Sequence, residues 1–223
     1  MPDYIKRLIA GGENQTLDFK FEVSDFRKIA RTLVAFSNTD GGRLLVGVKD
    51  NGAIAGVRSE EEYFMVDGAA RLYCRPEVKF TVREWQVEGR KVLEVVIGRG
   101  EHKPYMSQDE EGRWMAYVRQ GDQNFKADKL LLEVWARQKA NLGTTVYFRE
   151  AERHLLSYLE SHSSITLSKF RRLAGLSLVQ AENILVDFMV LGLLKIEHSS
   201  ASAIFSLAPG YREIIKGLDR TSL

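Results

Sequence analysis

The chain has 223 residues, 44% of them hydrophobic, which is enough for one large domain or two small domains with hydrophobic cores. Its 32 Lys and Arg residues face 30 Asp and Glu residues, so the net charge of +2 provides no overall attraction to nucleic acid. A single cysteine excludes an internal disulfide, and no apolar run approaches the roughly 20 residues of a membrane-spanning helix. We therefore expect a cytoplasmic protein with no membrane partner.

The N-terminal part of the chain predicts a mixture of helices and strands. We expect a short helix at 2–10, a strand with one polar face at 15–20, and a helix that begins after Ser24 or Asp25. The stretch 33–57 then predicts the end of that helix, a turn at Gly41-Gly42, a buried strand at 43–48 and a returning strand at 53–57. Hairpins at 79–97 and 105–119 and a helix from 129 to about 140 follow.

The C-terminal part has a different pattern, in which three helices precede one hairpin. Helices are expected at 147–161, from Ser168 to Gly175, and after Ser177, which has capping-box spacing to Gln180. Strands at 193–197 and 203–207 complete an order that resembles a winged helix-turn-helix. The sequence therefore predicts two domains, an α+β domain at 1–143 and a winged-helix domain at 144–223.

Several short motifs of the first domain resemble those of the Schlafen-type AlbA domain family. The matching pieces are Glu13, Leu17-Asp18-Phe19-Lys20, the run from Ala35 to Gly42, Gly47-Val48, Lys103-Pro104-Tyr105 and Tyr117-Val118-Arg119. The resemblance covers about residues 1–130 and implies an α+β fold with a mixed sheet. It also implies binding of DNA or RNA, and we expect a DNA-binding transcriptional regulator. The family has also been described as a divergent AAA ATPase domain, so ATP is left open as a ligand.

Two acidic residues suggest an alternative function as a metal-dependent nuclease. In Schlafen relatives with RNase activity, acids resembling Glu13 and Asp18 act with an aspartate directly after the Gly-Val pair, where Mg²⁺ or Mn²⁺ would bind. Here Lys49 follows Val48, and Asp50 comes one position later. The candidate catalytic residues are thus Glu13, Asp18 and Asp50, although a solvated strand face is the favoured interpretation. Outside this alternative we expect no metal or other cofactor, and whether the chain is an enzyme is left open.

Basic residues interleaved with aromatic residues suit phosphate contacts and base stacking. In the first domain the candidate nucleic-acid-binding residues are Lys20, Arg99, His102, Lys103, Tyr105, Arg119 and Lys126. In the second domain they are Lys169, Arg171 and Arg172, all before the third helix. Acidic residues between 109 and 122 would weaken the local positive field.

The third helix of the second domain carries Gln180 and Asn183, which could read a base, so DNA contact and dimerisation are both left open for this domain. Its outward face is expected to carry Val179, Val186 and Val190 together with Glu182 and Asp187, and these acids would repel phosphates. Exposed valines with acids suit a protein contact instead, so we expect a homodimer to which this domain contributes. A third reading of the chain is a non-catalytic assembly module.

Overall fold

A computed structural model describes residues 2–57, 59–140, 148–198 and 202–221. The chain divides into two compact units, Met1–Ala127 and Asp128–Leu223, and each is described by itself. The domain boundary predicted near residue 143 lies in 141–147, outside the described residues. The helix at Lys129–Lys139, which the sequence placed in the first domain, belongs to the second unit.

The first unit contains two four-stranded sheets. Its elements are α1 Pro2–Ala10, β1 Leu17–Lys20, α2 Phe26–Asn38, β2 Gly42–Val46, α3 Glu61–Leu72, β3 Cys74–Arg75, β4 Phe80–Val87, β5 Arg90–Ile97, β6 Met106–Gln108, β7 Trp114–Gln120 and β8 Gln123–Lys126. One sheet has the order β1-β2-β5-β4, in which β1 is parallel to β2 and the other neighbours are antiparallel. The other sheet is antiparallel, with the order β3-β6-β7-β8. The predicted α+β fold with a mixed sheet is confirmed.

Helix α2 is the central element of this unit. The carboxylate of Asp25 accepts hydrogen bonds from the backbone N–H groups of Arg27 and Lys28 and so caps the helix. Ile29, Leu33 and other apolar residues of α2 are buried in a core shared with α3, β2 and β5. The helix also packs against β6 and β7 of the second sheet. It therefore links both sheets.

The glycine turn after α2 is confirmed, and the close packing around it explains its sequence. Gly41 has a φ of +73°, and a Cβ at this position would lie 2.7 Å from the carbonyl oxygen of Ile97. Only glycine fits such a conformation at this separation. The turn delivers the chain into β2, which lies at the centre of the mixed sheet.

The returning strand predicted at 53–57 is wrong. Val48 and Ile54 form only an isolated bridge, and the neighbours of β2 are β1 and β5. The physical reason is Gly47, whose φ of +92° turns the chain immediately after β2. The Gly47 carbonyl then accepts the N–H groups of Ala55 and Gly56, which folds the segment back as a loop.

A buried glutamate lies between the mixed sheet and α1. Glu94 of β5 is fully buried and accepts hydrogen bonds from the Tyr4 hydroxyl at 2.7 Å, the Trp85 indole at 2.9 Å and the Arg43 guanidinium at 3.1 Å. These bonds satisfy the carboxylate and fix α1 over the sheet. The same contact raises the pKa of Tyr4, through burial first and then through its hydrogen bond to Glu94.

The second unit combines five helices with a three-stranded sheet among its described residues. Its elements are α4 Lys129–Lys139, α5 Glu150–Ser161, β9 Ile165–Thr166, α6 Leu167–Ala174, α7 Leu178–Val190, β10 Leu194–Glu197, β11 Ile204–Leu207 and α8 Tyr211–Thr221. The strands are antiparallel in the order β10-β11-β9. No single described helix is long and apolar enough to cross a membrane, and only α6 and α7 taken together, bent by 112°, pass on length and composition.

The exposed valine face predicted for α7 is wrong at its centre. Val186 is buried, because α4 packs along this side of α7. The predicted free acids are also engaged by α4. Lys129 Nζ lies 2.9 Å from Glu182, and Arg137 Nη1 lies 2.6 Å from Asp187. The surface on which a homodimer was predicted is thus largely covered within the unit itself.

Candidate nucleic-acid interface

Asp18 forms a buried ion pair and does not lie on the solvated strand face that the sequence suggested. Its Oδ1 lies 3.1 Å from Arg119 Nη1, and its Oδ2 lies 2.7 Å from Lys20 Nζ. The side chains of Asp18 and Arg119 are 5% and 1% exposed. Both carboxylate oxygens therefore already have cationic partners, and Lys20 is occupied by the same pair.

Arg119 has a structural role that removes it from the candidate nucleic-acid surface. Its guanidinium donates hydrogen bonds to the carbonyl oxygens of Asn14 and Leu17 and lies over the Phe36 ring. These contacts hold β7 against the start of β1. A buried guanidinium whose donors are used inside the unit is unable to reach a phosphate, so the sequence-based placement of Arg119 is corrected.

The remaining candidate acids do not complete a metal site. Glu13 accepts the backbone N–H of Phe19 at 2.7 Å, and its pKa is raised, mainly by burial and further by the nearby Asp18. Asp50 is exposed in the turn after Val48, and Lys49 extends over the Phe21 ring. Among the described residues, no group of three or more His, Cys, Asp or Glu side chains converges on a point that could hold a metal ion.

We expect the purified protein to show no Mn²⁺-dependent cleavage of RNA or DNA above background. The reason is that Asp18 is neutralised by Arg119 and Lys20, so it is a weak ligand for a cation. The measurement is gel analysis of labelled RNA and single-stranded DNA after incubation with Mn²⁺ or with chelator. Turnover that requires Mn²⁺ and disappears in the Glu13→Gln variant would contradict this prediction.

The loop between β5 and β6 presents two cations without acidic partners. Arg99 is exposed and Lys103 is half-buried, and within the described residues neither forms an ion pair. The pKa of Lys103 is lowered to about 8, first by burial and then by the charge of Arg99, while Asp40 acts in the opposite direction. His102, between them, is exposed. An anion at this loop would relieve the repulsion between the two cations.

Asn38, a residue of the glycine-turn motif, holds this loop in place. Its Nδ2 donates to the carbonyl oxygens of Tyr105 and Tyr117, and its Oδ1 accepts the backbone N–H of Tyr105, each at 2.8 Å. The backbone N–H of Gly100 donates to the Ser37 carbonyl in the same region. The separate motifs around Asn38, Tyr105 and Tyr117 therefore meet at one point, next to Lys103.

The cations predicted in the second unit lie on α6. Lys169 is exposed with its ammonium 5.0 Å from the centroid of the Tyr158 ring, and Arg172 is also exposed. Arg171 is half-buried, and its Nε is buried without a hydrogen-bond partner. All three belong to α6, whereas the acidic residues that α4 engages belong to α7.

Sequence reasoning missed two cations of α2, Arg27 and Arg31. The candidate residue Lys126 lies on β8 and is exposed. Arg27 and Arg31 lie over the rings of Tyr73 and Tyr117. The signal was present in the i, i+4 spacing of the two arginines on a helix without acidic residues. It was missed because the aromatic partners come from distant parts of the chain.

The comparison with protein-family models identifies the first unit. The model described as Schlafen, AlbA_2 matches residues 13–128, which is more than half of the chain. The chain belongs to this Schlafen, AlbA_2 family. The match covers both sheets and the Asn38 motif, and it ends at the start of the second unit.

Similarity to solved structures is weaker, and no curated protein matches the chain. The DIP2311 protein from Corynebacterium diphtheriae is 19% identical with a TM-score of 0.43, over 60% of this chain and 32% of its own length. The N-terminal domain of a RecG-related protein from Nitrosomonas europaea is 23% identical with a TM-score of 0.41, over 53% of this chain and 86% of its own. The chain thus spans about a third of the first of these proteins.

Proposed function

We propose that this protein binds nucleic acid through its first unit, with the loop at 98–104 contacting phosphates, and that it acts as a DNA-binding transcriptional regulator. The family membership supports a nucleic-acid-related role. The observation that carries the proposal is the pair Arg99 and Lys103, two cations without acidic partners in a loop that the buried Asn38 fixes. A phosphodiester group is the anion that such a loop would meet on DNA or RNA.

Lys103 makes this binding dependent on pH. In the free protein its ammonium loses its proton around pH 8, because burial and Arg99 lower its pKa. A bound phosphate stabilises the charged form and raises that pKa, so binding above pH 8 requires uptake of a proton. Affinity is therefore highest well below pH 8 and falls as the pH rises through the pKa of Lys103 in the free protein.

We expect the affinity of the full chain for a single-stranded DNA oligonucleotide to fall about tenfold between pH 7 and pH 9, following the protonated fraction of Lys103. Fluorescence anisotropy at constant salt measures this. Lys103→Gln should bind more weakly at pH 7 and lose most of the pH dependence. Arg99→Gln should move the fall to higher pH, because it removes a charge that lowers the pKa of Lys103.

Arg83→Gln is the matched control, since Arg83 is an exposed cation of β4. It should keep the pH dependence of the wild type. An affinity that is independent of pH in the wild type, or a Lys103→Gln variant indistinguishable from it, would remove the loop from the binding surface. Absence of binding to DNA and RNA alike would overturn the proposed function itself.

For the second unit we propose a winged helix-turn-helix in a supporting role. The order α5, β9, α6, α7, β10, β11 supports this interpretation. Since α4 covers much of α7, the phosphate contacts of this unit should involve Lys169, Arg171 and Arg172 on α6. The homodimer stays a prediction. Val186 of its original surface is covered while Val179 is exposed, and sedimentation velocity of the full chain tests it.

A further inference from the structure

Several cations of the first unit form ion pairs with nearby acids. Examples are the pairs Lys6–Glu88, Arg43–Glu94, Arg71–Asp67, Lys91–Glu84 and Arg113–Asp109. Helix α2 contains none of these pairs. It carries three cations and no acid, and none of the three forms an ion pair with another described residue; these cations are Arg27, Lys28 and Arg31.

Aromatic rings, instead of acids, hold the two arginines of α2 in place. The guanidinium carbon of Arg27 lies 5.4 Å from the centroid of the Tyr73 ring, which is itself stacked on Phe26. The guanidinium carbon of Arg31 lies 5.1 Å from the centroid of the Tyr117 ring. A cation over an aromatic ring is oriented but keeps its full charge, and the N–H groups at the edge of the guanidinium stay available. The buried Nε of Arg27 has no hydrogen-bond partner.

A further cation lies beside these arginines on β8. Lys126 is the cross-strand partner of Tyr117, so both side chains are on the same face of the sheet, and Arg31 covers the Tyr117 ring. Lys126 is exposed and has no acidic partner among the described residues. The acid nearest in sequence to α2, Asp25, is used by the helix cap.

An arrangement of this kind is suited to a polyanion. Three or four like charges without acids repel one another, and a chain of phosphates offers regularly spaced negative charges that remove this repulsion. A planar guanidinium fixed over a ring also meets a phosphate in a bidentate geometry at a low entropic cost. Since the net charge of the chain is only +2, this attraction is local to the face and does not arise from overall charge.

We infer that the surface of Arg27, Lys28, Arg31 and Lys126, here called the α2 surface, binds the phosphodiester backbone of a nucleic acid. This inference rests on the proposed function, because it extends the same activity to a second surface of the first unit. The α2 surface binds the backbone and reads no base, so it contributes affinity that depends on salt and is insensitive to sequence.

The test is the salt dependence of binding for the full-length triple variant Arg27→Gln, Arg31→Gln, Lys126→Gln. Each lost phosphate contact should make the negative slope of log K against log salt shallower by about 0.7–0.9, so the slope of the triple variant should be shallower by about two units or more. Fluorescence anisotropy with single-stranded DNA, duplex DNA and RNA of one sequence separates the possible ligands. The probe whose slope falls by the largest fraction of its own wild-type value identifies the backbone that this surface binds.

The control triple variant Lys79→Gln, Arg83→Gln, Lys91→Gln removes the same charge from β4, β5 and the segment before them. It should keep the slope of the wild type. Glutamine also removes the guanidinium packing on Tyr73 and Tyr117, so a second variant with Arg27→Lys and Arg31→Lys keeps the charges and should keep most of the slope. Circular dichroism melting of each variant checks folding.

The outcomes separate the two claims. If the wild type binds none of the three probes, the proposed function fails and the α2 inference fails with it. If the wild type binds but the α2 triple variant keeps its slope while Lys103→Gln loses affinity, the α2 inference alone is overturned. Equal losses in the α2 triple variant and the control triple variant would also overturn it, because they would indicate an effect of net charge alone.

Discussion

Replacing Arg119 with methionine is expected to lower the free energy of unfolding of the first unit by about 3–5 kcal/mol, because it leaves the buried Asp18 with one cationic partner fewer. The substitution also removes hydrogen bonds to the carbonyl groups of Asn14 and Leu17. Methionine keeps most of the apolar volume over Phe36, so the loss of stability comes mainly from the missing charge and hydrogen bonds. The measurement is urea denaturation of the full chain, followed by tryptophan fluorescence.

A Trp135→Phe background makes this measurement specific to the first unit, since Trp85 and Trp114 then provide the signal. The control is Lys79→Met, which breaks an exposed pair with Glu77 and should cost less than about 1 kcal/mol. The double variant Asp18→Asn, Arg119→Met removes both charges and should be more stable than Arg119→Met alone. An Arg119→Met variant as stable as the wild type would show that the buried pair of Asp18 and Arg119 does not stabilise the unit.

Replacing Asn38 with leucine is expected to destabilise the first unit by about 3 kcal/mol, because three part-buried backbone groups lose their partner. Leucine has a similar size but is unable to bond the N–H and carbonyl of Tyr105 or the carbonyl of Tyr117. The loop that carries Lys103 should then lose its fixed position, and nucleic-acid affinity should fall as well. Urea denaturation and anisotropy binding measure the two effects.

The variant Asn38→Asp separates the effect of side-chain shape from that of hydrogen bonding, and Asn51→Ala is a control at an exposed turn. Aspartate keeps the shape but places a carboxylate against two carbonyl oxygens, so it should be at least as harmful as leucine. Asn51 bonds only the N–H of Ala53 in an exposed turn, and its loss should cost less than about 1 kcal/mol. Asn38→Leu with stability and affinity equal to the wild type would contradict this role.

Local patterns in the sequence were sufficient to predict many of the helices, hairpins and caps. The apolar period of α2, the hairpins β4–β5 and β6–β7, and the capping box at Ser177 are all present in the structure. These features depend on residues close in the chain, so their chemistry is visible in a short window. The Asn38 motif was recognised, but its hydrogen bonds to Tyr105 and Tyr117 depend on tertiary structure.

Contacts between distant parts of the chain explain the errors. Asp18 alternates with apolar neighbours, which is typical of an exposed strand residue. In the structure it is buried and paired with Arg119, which lies about 100 residues later on β7. Likewise the sequence places α4 in the first domain and so predicts that Val186, Glu182 and Asp187 face a partner, whereas in the structure α4 contacts them. Periodicity indicates which face of an element is apolar but does not identify what covers it.

Amide hydrogen exchange of the full chain, with and without a saturating nucleic-acid oligonucleotide, tests most directly whether the first unit carries the binding surface. We predict slower exchange on binding in the loop at 98–103 and in β7 and β8, with little change in α7, because α4 already covers that helix. Protection confined to α6 and α7, with the first unit unchanged, would contradict the account.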